Sequence, residues 1–109
     1  MAEVLLNASE IVDWDTFHTV CAREFGFPDF YGRNGNAWID CLSYLGDDDG
    51  MCRFTLVPDE VLRITVADSD TLRQRQPEIL QALVDWTAFV NYRNAESADP
   101  QPRLELVLL

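Results

Sequence analysis

The alternation of apolar and polar residues predicts strands at both ends of the chain and in its middle. Short apolar runs at residues 3–6 ("EVLL") and 103–109 ("RLELVLL") are typical of buried strands. Two stretches between them, residues 51–57 ("MCRFTLV") and 60–66 ("EVLRITV"), alternate well enough to be strands and are separated by Pro58. The pattern therefore places strand segments on either side of the regions that follow a helical period.

Two helices are predicted in the first half of the chain. Asp13 is a good N-cap, and the apolar residues that follow it recur at helical spacing until Gly26 and Pro28 end the helix. The buried stripe of this helix consists of Trp14, Phe17, Val20, Cys21 and Phe25. Asn34 is expected to cap a second helix, which has one buried stripe and one polar face. The stripe consists of Trp38, Cys41, Leu42 and Leu45, and the polar face of Asn36, Asp40 and Ser43.

The second half of the chain begins with loops and ends with a long helix and a strand. Residues 46–50 ("GDDDG") and 97–102 ("SADPQP") are predicted loops, and residues 69–76 ("SDTLRQRQ") a short helix. Pro77 suits the first turn of a long amphipathic helix. The buried stripe of that helix consists of Ile79, Leu80, Leu83, Trp86, Phe89 and Val90. Terminal strands with helices between them predict a small parallel or mixed α/β sheet, and we expect residues 1–109 to form a single domain.

The charge of the chain limits the classes of partner that it can bind. Nineteen Asp and Glu residues against eight Lys and Arg residues give a net charge of −11. That balance repels nucleic acid and anionic membranes, and it favours a basic protein partner, which long-range attraction would steer toward the chain. A simpler interpretation is that the acidity only keeps the protein in solution. The N-terminal residues lack a basic and apolar leader pattern, and no run is long enough to span a membrane, so we expect a cytoplasmic protein.

The sequence gives little support for an enzyme active site or a metal site. His18 is the only histidine and is expected to pack or to form a hydrogen bond. The acidic run at residues 47–49 does not fit the ligand spacing of a calcium loop and is interpreted as a solvated turn. We expect no catalytic residue, no metal and no cofactor. The cysteines lack the spacing of a metal site or redox pair and are interpreted as small buried hydrophobic residues: Cys21, Cys41 and Cys52.

Three segments in the first half of the chain resemble the barstar family, small bacterial proteins that inhibit the secreted ribonuclease barnase. They are residues 5–11 ("LLNASEI"), 17–28 ("FHTVCAREFGFP") and, most specifically, 28–42 ("PDFYGRNGNAWIDCL"). The match runs without a gap over residues 4–45, whereas the second half matches only in its long helix and last strand, and residues 46–76 align poorly. The resemblance implies a parallel three-stranded sheet packed by helices and a function without catalysis. We expect a monomer when the protein is free.

The resemblance also implies how the chain binds its partner. In this family the second helix and the loop before it plug the active site of a ribonuclease, and an aspartate of that helix occupies the position of a phosphate. Asp40 corresponds to that aspartate. The loop glycine, the loop asparagine, a contact one turn further along the helix and an acid of the long C-terminal helix correspond to Gly32, Asn34, Ser43 and Asp85.

The residue types around Asp40 support this interpretation on physical grounds. A nuclease cleft is a basic groove built for phosphate, so a carboxylate on a rigid helix is a suitable mimic. Asn36 lies four residues before Asp40 and therefore shares its helix face. Gly32 and Gly35 are expected to permit unusual backbone angles and a close approach.

Two aromatic residues next to Gly32, Phe30 and Tyr31, would anchor a partner around the charge of Asp40. Alternatively, Tyr31 belongs to the core and Asp40 merely faces solvent. The chain departs from the family pattern at Asn36, which replaces an acid, at Ile39, which replaces a large aromatic residue, and at Phe30, which lacks the hydroxyl of a tyrosine. These departures predict weaker or redirected binding of barnase itself.

We therefore predict an intracellular inhibitor of a basic ribonuclease or other basic protein toxin, with residues 28–45 as the plug. The alternatives are an immunity or interaction module of the same fold that binds a non-nuclease protein, and a small acid-dependent enzyme. The predicted partner-binding residues are Phe30, Gly32, Asn34, Asn36, Ile39, Asp40, Ser43, Tyr44 and Asp85.

Overall fold

The strands form one small parallel sheet. The computed structural model describes residues 2–46, 51–99 and 101–109. Its strands are β1 (Ala2–Asn7), β2 (Val61–Ala67) and β3 (Arg103–Leu108). The central strand β2 pairs in parallel with β1 on one side and with β3 on the other. The prediction of a parallel three-stranded α/β fold is confirmed.

The helices form largely where the cap residues predict them. They are α1 (Trp14–Phe25), α2 (Gly35–Leu42), α3 (Ser69–Arg75) and α4 (Pro77–Ala95). The Asp13 carboxylate accepts a hydrogen bond from the N–H of Thr16 at 2.8 Å and so caps α1. Gly26, with a left-handed φ of 71°, ends the same helix. Helix α1 packs on β1, α4 packs on β3, and α2 packs on α4.

The core lies between the sheet and the helices. Val4 lies opposite Ile64, and Ile64 lies opposite Leu106, so one row of apolar side chains crosses the three strands. The row is closed by the buried rings of Phe17 and Trp38 from α1 and α2, both of which have no exposed surface. Burial of such apolar area is the main stabilising term of a domain of this size, and it fixes α2 through its buried stripe.

Residues 51–57 do not form the predicted strand. The N–H of Arg53 donates to the carbonyl oxygen of Phe25 at 2.8 Å, and the N–H of Leu56 donates to that of Leu45 at 2.7 Å. These are isolated hydrogen bonds to the last residue of α1 and to the chain after α2, and they do not form a ladder. The alternating apolar residues of this segment pack instead against the core, which is why their pattern resembles that of a strand.

Two aromatic residues are more exposed than the helical stripes predict. Trp14 is 39% exposed, because it occupies the first position of α1, where its ring stacks on His18 and packs at a tilt against Trp86. Phe89 is 50% exposed, and it lies at the edge of the buried stripe of α4.

No helix in the described part of the chain has the length and apolar character of a membrane span. Within the same residues, no group of three or more His, Cys, Asp or Glu side chains is placed to hold a metal ion. The acidic run at residues 47–49, predicted to be a solvated turn, lies outside the described residues.

Candidate protein-binding site

The loop before α2 is fixed from the inside by Tyr31. The side chain is buried, its ring centre lies 4.6 Å from that of Phe27, and its hydroxyl lies 2.7 Å from Nδ1 of His18. Burial raises the pKa of Tyr31, with Cys21 and Cys41 adding to the effect, so the hydroxyl stays protonated. The prediction that His18 packs and forms a hydrogen bond is confirmed. Tyr31 is a core residue and not a surface anchor.

Arg33 fixes the same loop from the outside. Its backbone is left-handed, with a φ of 54°, which is uncommon for a residue that carries a Cβ. Its Nη2 lies 2.7 Å from the carbonyl oxygen and from a carboxylate oxygen of Asp15, and 3.0 Å from Oγ1 of Thr19. The loop is therefore held between a buried ring and a surface ion pair to α1.

Asn34 caps α2, as predicted. Its Oδ1 accepts a hydrogen bond from the N–H of Ala37 at 2.8 Å, and its Nδ2 donates to the carbonyl oxygen of Gly32 at 3.2 Å. The side chain is thus engaged within the chain, although Asn34 itself is exposed. These bonds position the loop against the helix, and contact of Asn34 with a partner stays a prediction.

Gly32 and Gly35 are needed for space and not for unusual backbone angles. Neither has a positive φ, so the prediction of unusual angles is wrong. A Cβ at Gly35 would lie 2.7 Å from Cζ2 of Trp86, and a Cβ at Gly32 would lie 3.3 Å from Cβ of Ala37. Gly35 lets the start of α2 lie against α4, and Gly32 keeps the loop close to α2.

The predicted polar side of α2 is accessible. Asn36 is exposed, the Asp40 side chain is 55% exposed, and Ile39 and Ser43 are half-buried. We call these four residues the α2 face. The Oγ of Ser43 donates to the carbonyl oxygen of Ile39 at 2.6 Å, so this hydroxyl is used within the helix. Asn36 and Asp40 are therefore the polar side chains of the face that are most available for hydrogen bonds to a partner.

Asp40 has a cationic neighbour within its own chain that the sequence pattern does not reveal. Nη1 of Arg93 lies 3.3 Å from Oδ1 of Asp40, and the two side chains are 42% and 55% exposed. Arg93 belongs to the last turn of α4 and reaches α2 because the two helices pack together. The residues are 53 positions apart in sequence, so no local pattern connects them.

A small groove beside the α2 face brings three predicted residues together. Its volume is about 160 Å³, and it is lined by Phe30, Tyr31, Gly32, Ala37, Asp40, Cys41 and Met51. Phe30 is 76% exposed, so most of its surface is free for contact. We call this feature the Asp40 groove. It combines the carboxylate of Asp40, the largely exposed ring of Phe30 and the loop at Gly32, which lies close to α2.

The cysteines near this groove are poor nucleophiles. Burial raises the pKa of Cys41 to about 11, with smaller contributions from Cys52 and Asp40. Burial raises the pKa of Cys21 to about 12. Cys21 and Cys41 are buried, as predicted, whereas Cys52 is only half-buried. Protonated, enclosed thiols of this kind act as small packing groups.

The two remaining predicted residues lie outside the Asp40 groove. Asp85 is exposed on α4, where its carboxylate accepts a hydrogen bond from its own helix, and the next residue, Trp86, lies against Gly35. Tyr44 is 41% exposed and lines a separate hollow of about 250 Å³ together with Arg93. Asp85 therefore belongs to the part of α4 beside the start of α2, and Tyr44 lies beyond the end of α2.

A larger hollow lies where α1, the loop and α4 meet. It has a volume of about 500 Å³ and is lined by Trp14, Asp15, His18, Arg33, Asn34, Gly35 and Trp86. Asn34 is the predicted partner-binding residue among them. The ionic groups of this hollow, Arg33 and Asp15, are already paired with each other.

Comparison with known proteins assigns the chain to a family. The family model described as Barstar (barnase inhibitor) matches residues 1–104 of the 109. The match thus includes residues 46–76, which the sequence resemblance leaves poorly aligned. A comparison with curated proteins gave no significant match. By this match over nearly its whole length, and by its parallel three-stranded sheet packed by helices, the chain belongs to the Barstar family, whose members are inhibitors of ribonucleases and not enzymes.

Proposed function

We propose that this protein inhibits a basic ribonuclease or ribonuclease-type toxin by closing its active site with the loop and helix of residues 28–45. The Asp40 carboxylate takes the position of a substrate phosphate. The observation that carries the proposal is the exposed Asp40 on a fixed helix of a chain that belongs to the Barstar family. The inhibitor performs no chemical step, because occupation of the cleft is sufficient.

Charge supports this kind of partner. A ribonuclease cleft concentrates cationic side chains to bind phosphate, and charge-assisted hydrogen bonds from those groups to a carboxylate are among the stronger polar contacts. The net charge of −11 adds long-range attraction, which raises the association rate with a basic partner. Specific affinity then depends on the α2 face and on the Asp40 groove.

The fixed loop supports tight binding because little order has to be gained in the complex. Tyr31 holds the loop to the core and Arg33 holds it to α1, while Phe30 between them stays exposed. A site that is already ordered when free loses less conformational entropy on association. We therefore assign Phe30 as an aromatic anchor beside the charge of Asp40.

The departures from the family pattern bear on which ribonuclease is bound. The α2 face presents an amide at Asn36 and a half-buried aliphatic side chain at Ile39. We infer that the target presents neutral hydrogen-bonding groups, and not a cation, opposite Asn36, and a small apolar surface opposite Ile39.

The test is RNA cleavage by barnase and related basic ribonucleases, titrated with the wild-type protein and with Asp40→Ala. We expect stoichiometric inhibition by the wild type and a loss of at least about 2 kcal/mol of binding in the variant, the threshold of an interface hot spot. Asp70→Ala is the matched control, because it also removes an exposed aspartate that is paired with an arginine, Arg73.

Unchanged affinity of Asp40→Ala would contradict the phosphate-mimic role. Tight binding without any block of RNA cleavage would favour the alternative of an interaction module that uses the same fold. Inhibition that both aspartate variants lose equally would point to total charge and not to the Asp40 site.

A further inference from the structure

The contact between Arg93 and Asp40 places a cation on the surface that is proposed to meet a basic cleft. The pair is long, at 3.3 Å, it involves only one carboxylate oxygen, and both side chains are about half exposed. Exposed pairs of this geometry are weak and exchange readily with solvent or with a better partner. Arg93 therefore contacts the Asp40 carboxylate, but the ion pair is weak.

The position of Arg93 keeps its charge close to α2. It lies in the last turn of α4, where the helix dipole favours a cation. Arg33, which lies next to the start of α2, is turned away toward Asp15 and Thr19 of α1 and is engaged there. Arg93 is thus the guanidinium that the structure places in contact with the α2 face.

A ribonuclease cation and Arg93 compete for the same carboxylate. A guanidinium binds a carboxylate best when it contacts both oxygens, and Oδ1 of Asp40 is already engaged by Arg93. In addition, Arg93 would face the positive groups of the cleft as a like charge. Formation of the complex therefore requires Arg93 to leave Asp40 or to share it.

We propose, resting on the function proposed above, that Arg93 is an internal competitor that lowers the affinity of Asp40 for cationic sites. In the free protein it partly neutralises the carboxylate. Only a partner with several converging cations displaces it, so Arg93 acts as a specificity determinant of this surface.

The test compares Arg93→Gln with Arg73→Gln in binding barnase and related basic ribonucleases, measured by calorimetry at physiological ionic strength. Each variant removes one guanidinium that is paired with an exposed aspartate. Arg73 lies on α3, whereas Arg93 lies in the last turn of the 19-residue α4. Both variants make the net charge more negative. Arg73→Gln measures the gain in affinity that this change of charge alone produces.

We expect Arg93→Gln to bind more tightly than Arg73→Gln by up to about fivefold, the range that corresponds to one exposed ion pair. The part of this gain that comes from competition for the carboxylate should be lost in the Asp40→Asn background, so the gain should be smaller there. Equal affinities of the two arginine variants, or weaker binding by Arg93→Gln, would overturn the role of Arg93 while leaving the proposed function intact.

A second measurement does not depend on a ribonuclease. A double-mutant cycle of Asp40→Asn and Arg93→Gln in urea unfolding should show a favourable coupling in the free protein, and its absence would overturn the pairing itself. If the wild type forms no complex with any ribonuclease while the coupling is present, the proposed function fails and takes the competitor role with it.

Discussion

The hydroxyl of Tyr31 lies 2.7 Å from Nδ1 of His18, and this contact joins the loop of the candidate site to the buried side of α1. The neighbours of Tyr31 in sequence are Phe30, which is largely exposed, and Gly32, which lies against α2. The conformation of the loop at the candidate site is therefore supported by a hydrogen bond inside the core. We expect stability and binding to be coupled at this point of the molecule.

Replacing Tyr31 with Phe removes the hydroxyl and leaves Nδ1 of the buried His18 without its partner. We expect a loss of about 1–3 kcal/mol in the free energy of unfolding, the usual cost of an unsatisfied buried polar group. Urea unfolding measures it. Tyr92→Phe is the control, because Tyr92 is 64% exposed. Equal effects of the two substitutions would mean that the His18 contact contributes nothing.

His18 should make the stability depend on pH. Burial lowers the pKa of His18 from its ordinary value of 6.5, and the charge of Arg33 adds to this effect while Asp15 opposes it. The unfolded chain then binds the proton more readily than the native protein. The stability is therefore highest above pH 6.5 and declines as the pH falls through 6.5 toward the lower native pKa. Unfolding free energies at a series of pH values check the sign.

The variant His18→Gln isolates this effect, because His18 is the only histidine of the chain. We expect its stability to change less between about pH 7.5 and pH 5.5 than that of the wild type, since carboxylates titrate mainly below this window. A wild-type slope that survives in the variant would assign the pH dependence to other groups.

The sequence predicts the local features of this fold better than its tertiary contacts. The caps at Asp13 and Asn34 and the buried stripe of α2 follow from short-range rules, and the structure contains them. The prediction for residues 51–57 is wrong because alternation shows only that every second side chain is buried, not that the backbone pairs. The contact of Asp40 with Arg93 escapes prediction because it depends on how α2 packs on α4.

Gly35→Ala should destabilise the protein although alanine is the better helix former. Helix propensity alone would favour the change by less than the roughly 0.5–1 kcal/mol of a helix interior, because Gly35 is the first residue of α2. The added Cβ would lie 2.7 Å from Cζ2 of Trp86, so the Trp86 ring or the start of α2 must shift. We expect a net loss of roughly 1–3 kcal/mol, as for other overpacked sites, in thermal or urea unfolding.

The clash at Gly35 can be tested with a second substitution that makes the Trp86 side chain on α4 smaller. Trp86→Phe replaces the indole with a smaller ring that has no Cζ2, and it should recover part of the loss when combined with Gly35→Ala. Gly32→Ala serves as a comparison, because its Cβ would lie 3.3 Å from Cβ of Ala37 and requires less movement. Additive effects of Gly35→Ala and Trp86→Phe would contradict a direct contact between the two sites.

Phe30→Ala should weaken binding and leave folding unchanged. Phe30 is 76% exposed, so its removal should alter the free energy of unfolding by no more than about 0.5 kcal/mol. As an aromatic anchor beside Asp40 it should contribute more than about 1 kcal/mol to the complex with a ribonuclease, measured by calorimetry. Leu5→Ala on β1, where Leu5 is 52% exposed, is the control for loss of exposed apolar surface. With barnase itself, Phe30→Tyr should bind at least as well as the wild type, since it restores the hydroxyl of the family pattern. An affinity that Phe30→Ala leaves unchanged would exclude Phe30 as an anchor, even if Asp40 is part of the interface.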